Sequence, residues 1–158
     1  MHPGCKIRGK LGYTASKKQY FFGIKVHMVV DVDGIPIEFA FTPGSVSDVK
    51  ALWILNLNLP TGSRLLGDRA YTDYFFEDLL LELEKIQLLA KRKKNLKRQH
   101  TYEQNLCLKQ NRNRIESVFS SITSRMPRHM KARTEKGFCL KIVFFILAYM
   151  LQLYFPLS

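Results

Sequence analysis

Two acidic residues stand where a carboxylate could do chemistry. Asp68 closes SRLLGD (63–68), a short apolar run of strand length. Open α/β sheets place functional groups at the C-terminal ends of such strands. Glu116 is one of only two acids in residues 91–133, a segment that carries 13 basic side chains. A carboxylate set among positive charges, on the rim of an apolar helix face, can hold a hard divalent cation. Mg²⁺ takes one or two carboxylates and completes its shell with water and phosphate oxygens. Two such ions stabilise both the attacking and the leaving oxygen of a phosphodiester displacement. The same acids have a plainer use: Asp68 can cap a turn, and Glu116 can pair with Arg112 four residues earlier on a helix. Spacing alone leaves both uses open.

The surroundings of Glu116 narrow the partner. The 158 residues carry 25 Lys+Arg and 13 Asp+Glu, a net charge of +12. Residues 1–90 hold 10 basic and 10 acidic side chains, so they are neutral, whereas residues 91–133 alone hold +11. Such a block attracts polyanions, because each neutralised phosphate releases a condensed counterion. Nucleic acid is the favoured partner, an anionic membrane surface comes second, and a solvated basic face is the plain alternative. Lys91, Arg92, Lys93, Lys94, Lys97 and Arg98 are the candidates for DNA-backbone contacts, which position a duplex without reading its sequence.

Composition bounds the class. An apolar fraction of 46%, with 11 Phe and 7 Tyr, supplies a hydrophobic core and excludes a disordered tail. Length fits one domain of ordinary size. Cys5, Cys107 and Cys139 are far apart, which argues against a disulfide scaffold or zinc ribbon and fits a reducing compartment. The opening MHPGCKIRGK has no apolar run behind its basic residues and does not read as a secretory signal.

The elements that must position these residues follow from periodicity. Residues 1–19 read as a basic arm or loop, and residues 20–158 as the domain. From Tyr20, Phe22, Ile24, Val26, Met28 and Val30 alternate with Lys25, His27 and Val29, a strand pattern. Asp33-Gly34 then predicts a two-residue hairpin turn before a second strand through Ile35, Ile37, Phe39 and Phe41. His27 is expected to be structural. Ser47 or Asp48 can cap a short helix to about Leu55, and residues 56–62 form a loop. Residues 63–68 predict a strand, Thr72 or Asp73 caps a helix with Phe76, Leu79, Leu80 and Leu83 on one face, and residues 86–90 predict another strand. Strand, helix, strand implies a parallel crossover. A helix over residues 108–124 aligns Ile115, Val118, Phe119 and Ile122, with Pro127 ending it. The tail is apolar nearly all round, but its unbroken run, Ile142–Leu151, is ten residues, about half of a membrane span. A buried core helix is expected there, with Trp53 also in the core.

Three stretches carry a resemblance: residues 20–52 (YFFGIKVHMVVDVDGIPIEFAFTPGSVSDVKAL), GDRAYTD (67–73) and RNRIES (112–117). In this order they resemble the catalytic domain of bacterial insertion-sequence DDE transposases, most nearly the insertion-sequence family nine-eight-two, from about Gly12 to about Tyr149. The resemblance implies an α/β, RNase H-like mixed sheet flanked by helices. It also implies two divalent ions, Mg²⁺ or Mn²⁺, with strand cleavage and transfer at the terminal inverted repeats of a mobile element and into target DNA. Asp68 matches the second catalytic carboxylate and Glu116 the third. Arg112 matches a basic residue near DNA phosphates, with Arg114 completing the expected contact surface. Bacterial cytoplasm, a homo-oligomer that synapses two ends, and no membrane partner are further expectations.

The match also departs from the pattern. The family's first aspartate lies on a strand upstream of the GK-x-GY region, and Asp31, Asp33 and Asp48 do not occupy that place. The chain is therefore expected to be N-terminally truncated, to lack the first strand and one metal ligand, and to be largely inactive alone. The rival readings are a non-catalytic basic nucleic-acid-binding module, a protein anchored by a C-terminal span, and another RNase H-like nuclease.

Overall fold

The computed structural model describes residues 11–14 and 19–155, with side chains described from residue 23 onward. In chain order the elements are β1 (Leu11–Thr14), β2 (Gln19–Phe22), β3 (Ile24–Val30), β4 (Pro36–Pro43), α1 (Val49–Leu52), β5 (Arg64–Gly67), a 3₁₀ turn (Arg69–Tyr71), α2 (Tyr74–Leu83), β6 (Gln87–Ala90), α3 (Tyr102–Thr123) and α4 (Glu135–Tyr154). The strands pair two by two, as β1–β2, β3–β4 and β5–β6, where one mixed sheet was expected. The chain divides into two compact units: Met1–Val46 with Arg114–Ser158, and Ser47–Asn113.

In the first unit, β1 and β2 are antiparallel, with Leu11 opposite Phe22 and Thr14 opposite Gln19. Part of the expected arm is thus a strand, while residues 1–10 and 15–18 lie outside the described residues. The predicted first strand is broken at Gly23 into β2 and β3. Strands β3 and β4 form the predicted hairpin, Val26 opposite Phe41 and Met28 opposite Phe39. Its turn is longer than the two residues expected, since Val30 pairs with Pro36. The reason is Asp31: its Oδ1 accepts from the backbone N–H of Asp33 (2.9 Å) and of Ile35 (2.8 Å). This holds a wider loop in which Gly34 takes φ +83°, a conformation that side chains resist.

Alternation sends the two sides of β3 to different surroundings. Val26, Met28 and Val30, with Phe39 and Phe41, pack on a cluster of Val118, Ile122, Ile142, Ile146 and Tyr149 from α3 and α4. His27 and Val29, on the other side, are also buried. The His27 ring shares a hydrogen bond of 2.8 Å with the Thr42 hydroxyl, which satisfies two buried polar groups and agrees with a structural role. The Tyr149 hydroxyl donates to the Gly34 carbonyl (3.2 Å) and so ties α4 to the hairpin turn.

The Thr134 hydroxyl opens α4 by accepting from the Gly137 N–H (3.0 Å). By length and composition α4 is long and apolar enough to cross a membrane. It is only in part the buried core helix expected: Ile142, Ile146 and Tyr149 are buried, while Leu140, Phe144, Leu147 and Leu151 are exposed. Its sequence is apolar on two faces, and the hairpin covers one.

The second unit contains the predicted crossover. Strands β5 and β6 are parallel, Leu65 opposite Leu88 and Gly67 opposite Ala90, with α2 between them in sequence. Leu88, Leu89 and Ala90 of β6 are buried together with Phe76 and Leu80 of α2. Asp73 caps α2, its Oδ1 accepting from the N–H groups of Phe75 (3.1 Å) and Phe76 (3.2 Å). Trp53, expected in the core, is half exposed, stacked on Phe75 with its edge against Phe76. Helix α3 starts at Tyr102, six residues before the predicted start. The signal is a reciprocal cap: the Thr101 hydroxyl accepts from the Gln104 N–H (3.3 Å) and the Gln104 side chain accepts from the Thr101 N–H (2.9 Å). Its helical residues end at Thr123, ahead of Pro127.

Candidate functional site

Asp68 directly follows Gly67, the last residue of the parallel strand β5. Its side chain is exposed, and its Oδ1 accepts from the Ala70 N–H (2.8 Å), opening the 3₁₀ turn. The turn-capping use is therefore present. A carboxylate has lone pairs on both oxygens, so this bond leaves it able to accept further partners. The Tyr71 ring packs over Gly67, where an added Cβ would come within 3.3 Å of the Tyr71 Cβ. Burial, and then the charges of Asp48 and Asp68, push the Tyr71 phenol well above the usual tyrosine range. Asp48, at the N-terminus of α1, and Asp68 thus both bear on one hydroxyl. Residue spacing carries no sign of this.

Glu116 is exposed on α3, two residues before the buried Val118. It belongs to the unit that contains Arg114–Ser158, whereas Asp68 belongs to Ser47–Asn113. Among the described residues no three His, Cys, Asp or Glu side chains are grouped to hold a metal ion. What the chain offers at Asp68 and Glu116 is hard oxygen donors, which suit Mg²⁺ or Mn²⁺ and not a thiolate-seeking metal. Asp31 and Asp48 have places of their own, in the hairpin turn and at the start of α1.

The basic block divides into two kinds of residue. Lys91, Lys93, Lys94 and Lys97 are exposed, as are Arg112 and Arg114 on α3. Arg92 is different: its side chain is 5% exposed and bonded to the Glu77 carboxylate, itself 10% exposed. Arg98 grips Asp78 through both guanidinium nitrogens, at 2.7 and 2.9 Å, and that bond holds the Asp78 carboxyl below its usual range. Both guanidinium groups lie 4.9 Å from the centroid of the Tyr74 ring, within cation–π reach. Two of the expected DNA contacts are thus engaged within their own unit, and for Arg92 burial is the reason. The adjacent acids Glu77 and Asp78 on α2 were the missed partners.

The same segment is fastened further. The Gln99 side chain donates to the carbonyls of Lys93 (3.0 Å) and Leu96 (2.7 Å), and the His100 ring is bonded to the Ala90 carbonyl (2.7 Å). The lysines between these points are presented on a chain held at both ends.

Comparison with known proteins completes the picture. No curated protein and no solved structure matches the chain. The transposase DDE domain family model does match, over residues 2–151, a span that includes Asp68, Glu116 and the whole basic block. The chain belongs to the transposase DDE domain family.

Proposed function

We propose that the protein is a DNA transposase of a bacterial insertion sequence, of the nine-eight-two type, acting on DNA phosphodiesters from an RNase H-like scaffold. The family in general cleaves and transfers DNA strands and uses divalent metal ions. Asp68 and Glu116 would hold the metal as second and third carboxylates. When bound, two ions would supply charge stabilisation for the attacking and leaving oxygens of an in-line displacement. The chain's own residues hold the substrate. Lys91, Lys93, Lys94 and Lys97, with Arg112 and Arg114, bind the phosphate backbone by charge, and Arg92 and Arg98 brace the segment that carries the lysines. The expected setting is the bacterial cytoplasm, with element ends and target DNA as partners.

The observation that carries this reading is the position of Asp68. It is an exposed carboxylate at the C-terminal end of a parallel strand, where α/β sheets place chemistry, in a chain of this family. This reading assigns the metal two carboxylates, Asp68 and Glu116, and gives no ligand role to Asp31, Asp33 or Asp48, so metal affinity and cleavage should be weak.

The test is a nicking assay on terminal inverted-repeat DNA with Mg²⁺ or Mn²⁺, run beside DNA binding. Weak metal-stimulated nicking that vanishes in both Asp68→Ala and Glu116→Ala, with binding intact, supports the reading. DNA binding that falls steeply with salt, while neither substitution alters any metal-dependent effect, replaces it with the non-catalytic binding module.

A further inference from the structure

The outer face of α4 follows a rule the inner face does not need. Leu140, Phe144, Leu147, Leu151 and Tyr154 recur at intervals of four, three, four and three residues. That is the heptad spacing of a seam between paired helices. They are 52%, 59%, 43%, 60% and 62% exposed. The opposite face, through Ile142, Ile146 and Tyr149, is already committed to the hairpin. The residues flanking the outer seam add little charge: Val143, Ala148 and Met150 lie along it, and the exposed Lys136 and Lys141 stand near its start.

We infer that this face is an interface between two copies of the chain. Soluble monomers rarely expose contiguous apolar patches beyond a few hundred Å². Given their exposed fractions, the five side chains present roughly 500 Å² per copy, taking side chains of this size at about 150–250 Å² each. Full mutual covering of the face removes about 1,000 Å² in total, the threshold for a biological interface and the range of a weak, reversible pair rather than a permanent one. A seam of like residues is self-complementary, so the closed solution is a two-fold pair in which each copy offers the same stripe. A bilayer is the poorer occupant, because the inner face of the same helix packs on a sheet and the Tyr149 hydroxyl is bonded to the hairpin turn. The inference gives a surface to the homo-oligomer of the proposed function and needs neither DNA nor metal for its test.

The experiment is sedimentation velocity on residues 1–158 over micromolar concentrations, without DNA, for the native chain and for Phe144→Glu/Leu151→Lys. Both substituted positions are exposed, so the hairpin core is left intact, which circular dichroism checks. A concentration-dependent dimer that becomes monomeric in the variant supports the interface. A native chain that stays monomeric at every concentration overturns it, as does a dimer unchanged in the variant. Flotation with phosphatidylglycerol vesicles is the second arm. A monomeric chain that floats in the native form and not in the variant assigns the face to lipid and overturns the pairing.

Discussion

Replacing Arg92 with alanine separates the two tasks a cation in residues 91–98 can have. Its side chain is 5% exposed and Glu77's is 10% exposed. The substitution leaves the Glu77 carboxylate without its countercharge in a site largely closed to water. Removing one partner of a buried ion pair costs about 3–5 kcal/mol. Domains are stable by about 5–15 kcal/mol, so this loss is a large share of the total. With a urea slope of about 1–3 kcal/mol per molar, the unfolding midpoint should fall by about 2 M. Trp53 is the single tryptophan and packs on Phe75 and Phe76 of the same unit, so its fluorescence reports the transition. Lys93→Ala and Lys94→Ala are the contrast: exposed, each should stay within about 0.5 kcal/mol in stability. Each should nevertheless weaken DNA binding and reduce the salt slope by about 1. Arg92→Met/Glu77→Leu should recover most of the stability, because apolar replacement of both partners is close to neutral. An Arg92→Ala chain that keeps its urea midpoint, yet loses DNA affinity as Lys93→Ala does, would show Arg92 to be a DNA contact and not a buried brace.

Three further outcomes are expected. The Tyr71 phenol, pushed up by burial and then by Asp48 and Asp68, favours its neutral form in the folded chain; its contribution to stability is full below about pH 10 and is lost as pH rises beyond that. Asp48→Asn should therefore bring Tyr71 down toward the ordinary tyrosine range, seen as earlier tyrosinate absorbance in an alkaline titration. Ile146→Ala, at a fully buried position, should cost about 2–5 kcal/mol by urea unfolding followed by circular dichroism. Asp73→Ala removes the cap on two amides of α2 and should cost about 1 kcal/mol, read as a lower midpoint in the Trp53 transition.

Much of the fold was legible because it rests on local pattern. Alternation from Ile24 to Val30, the Asp73 cap and the strand–helix–strand order of β5, α2 and β6 each follow from a few neighbouring residues. Errors arose where a side chain acts on backbone at a distance the pattern does not register. Asp31 takes two amides and widens the hairpin turn; Thr101 and Gln104 cap each other and lengthen α3 by six residues. The basic block shows the same limit for function. Charge counting treats Arg92 and Lys93 alike, but only the fold supplies Glu77 to bury one of them. The place of Asp68 after a strand was legible because strand ends are recognisable in sequence, whereas its shared neighbour Tyr71 with Asp48 depends on how α1 meets the turn after β5.

The proposed function stands or falls on whether Asp68 and Glu116 bind the same divalent metal. Titration of the ¹⁵N-labelled chain with Mn²⁺, followed by paramagnetic broadening of backbone amide signals, tests it directly. Amides around Asp68 and around Glu116 should broaden together at one metal concentration, and Asp68→Ala or Glu116→Ala should remove the broadening at both places. Broadening at one carboxylate that survives replacement of the other would contradict it.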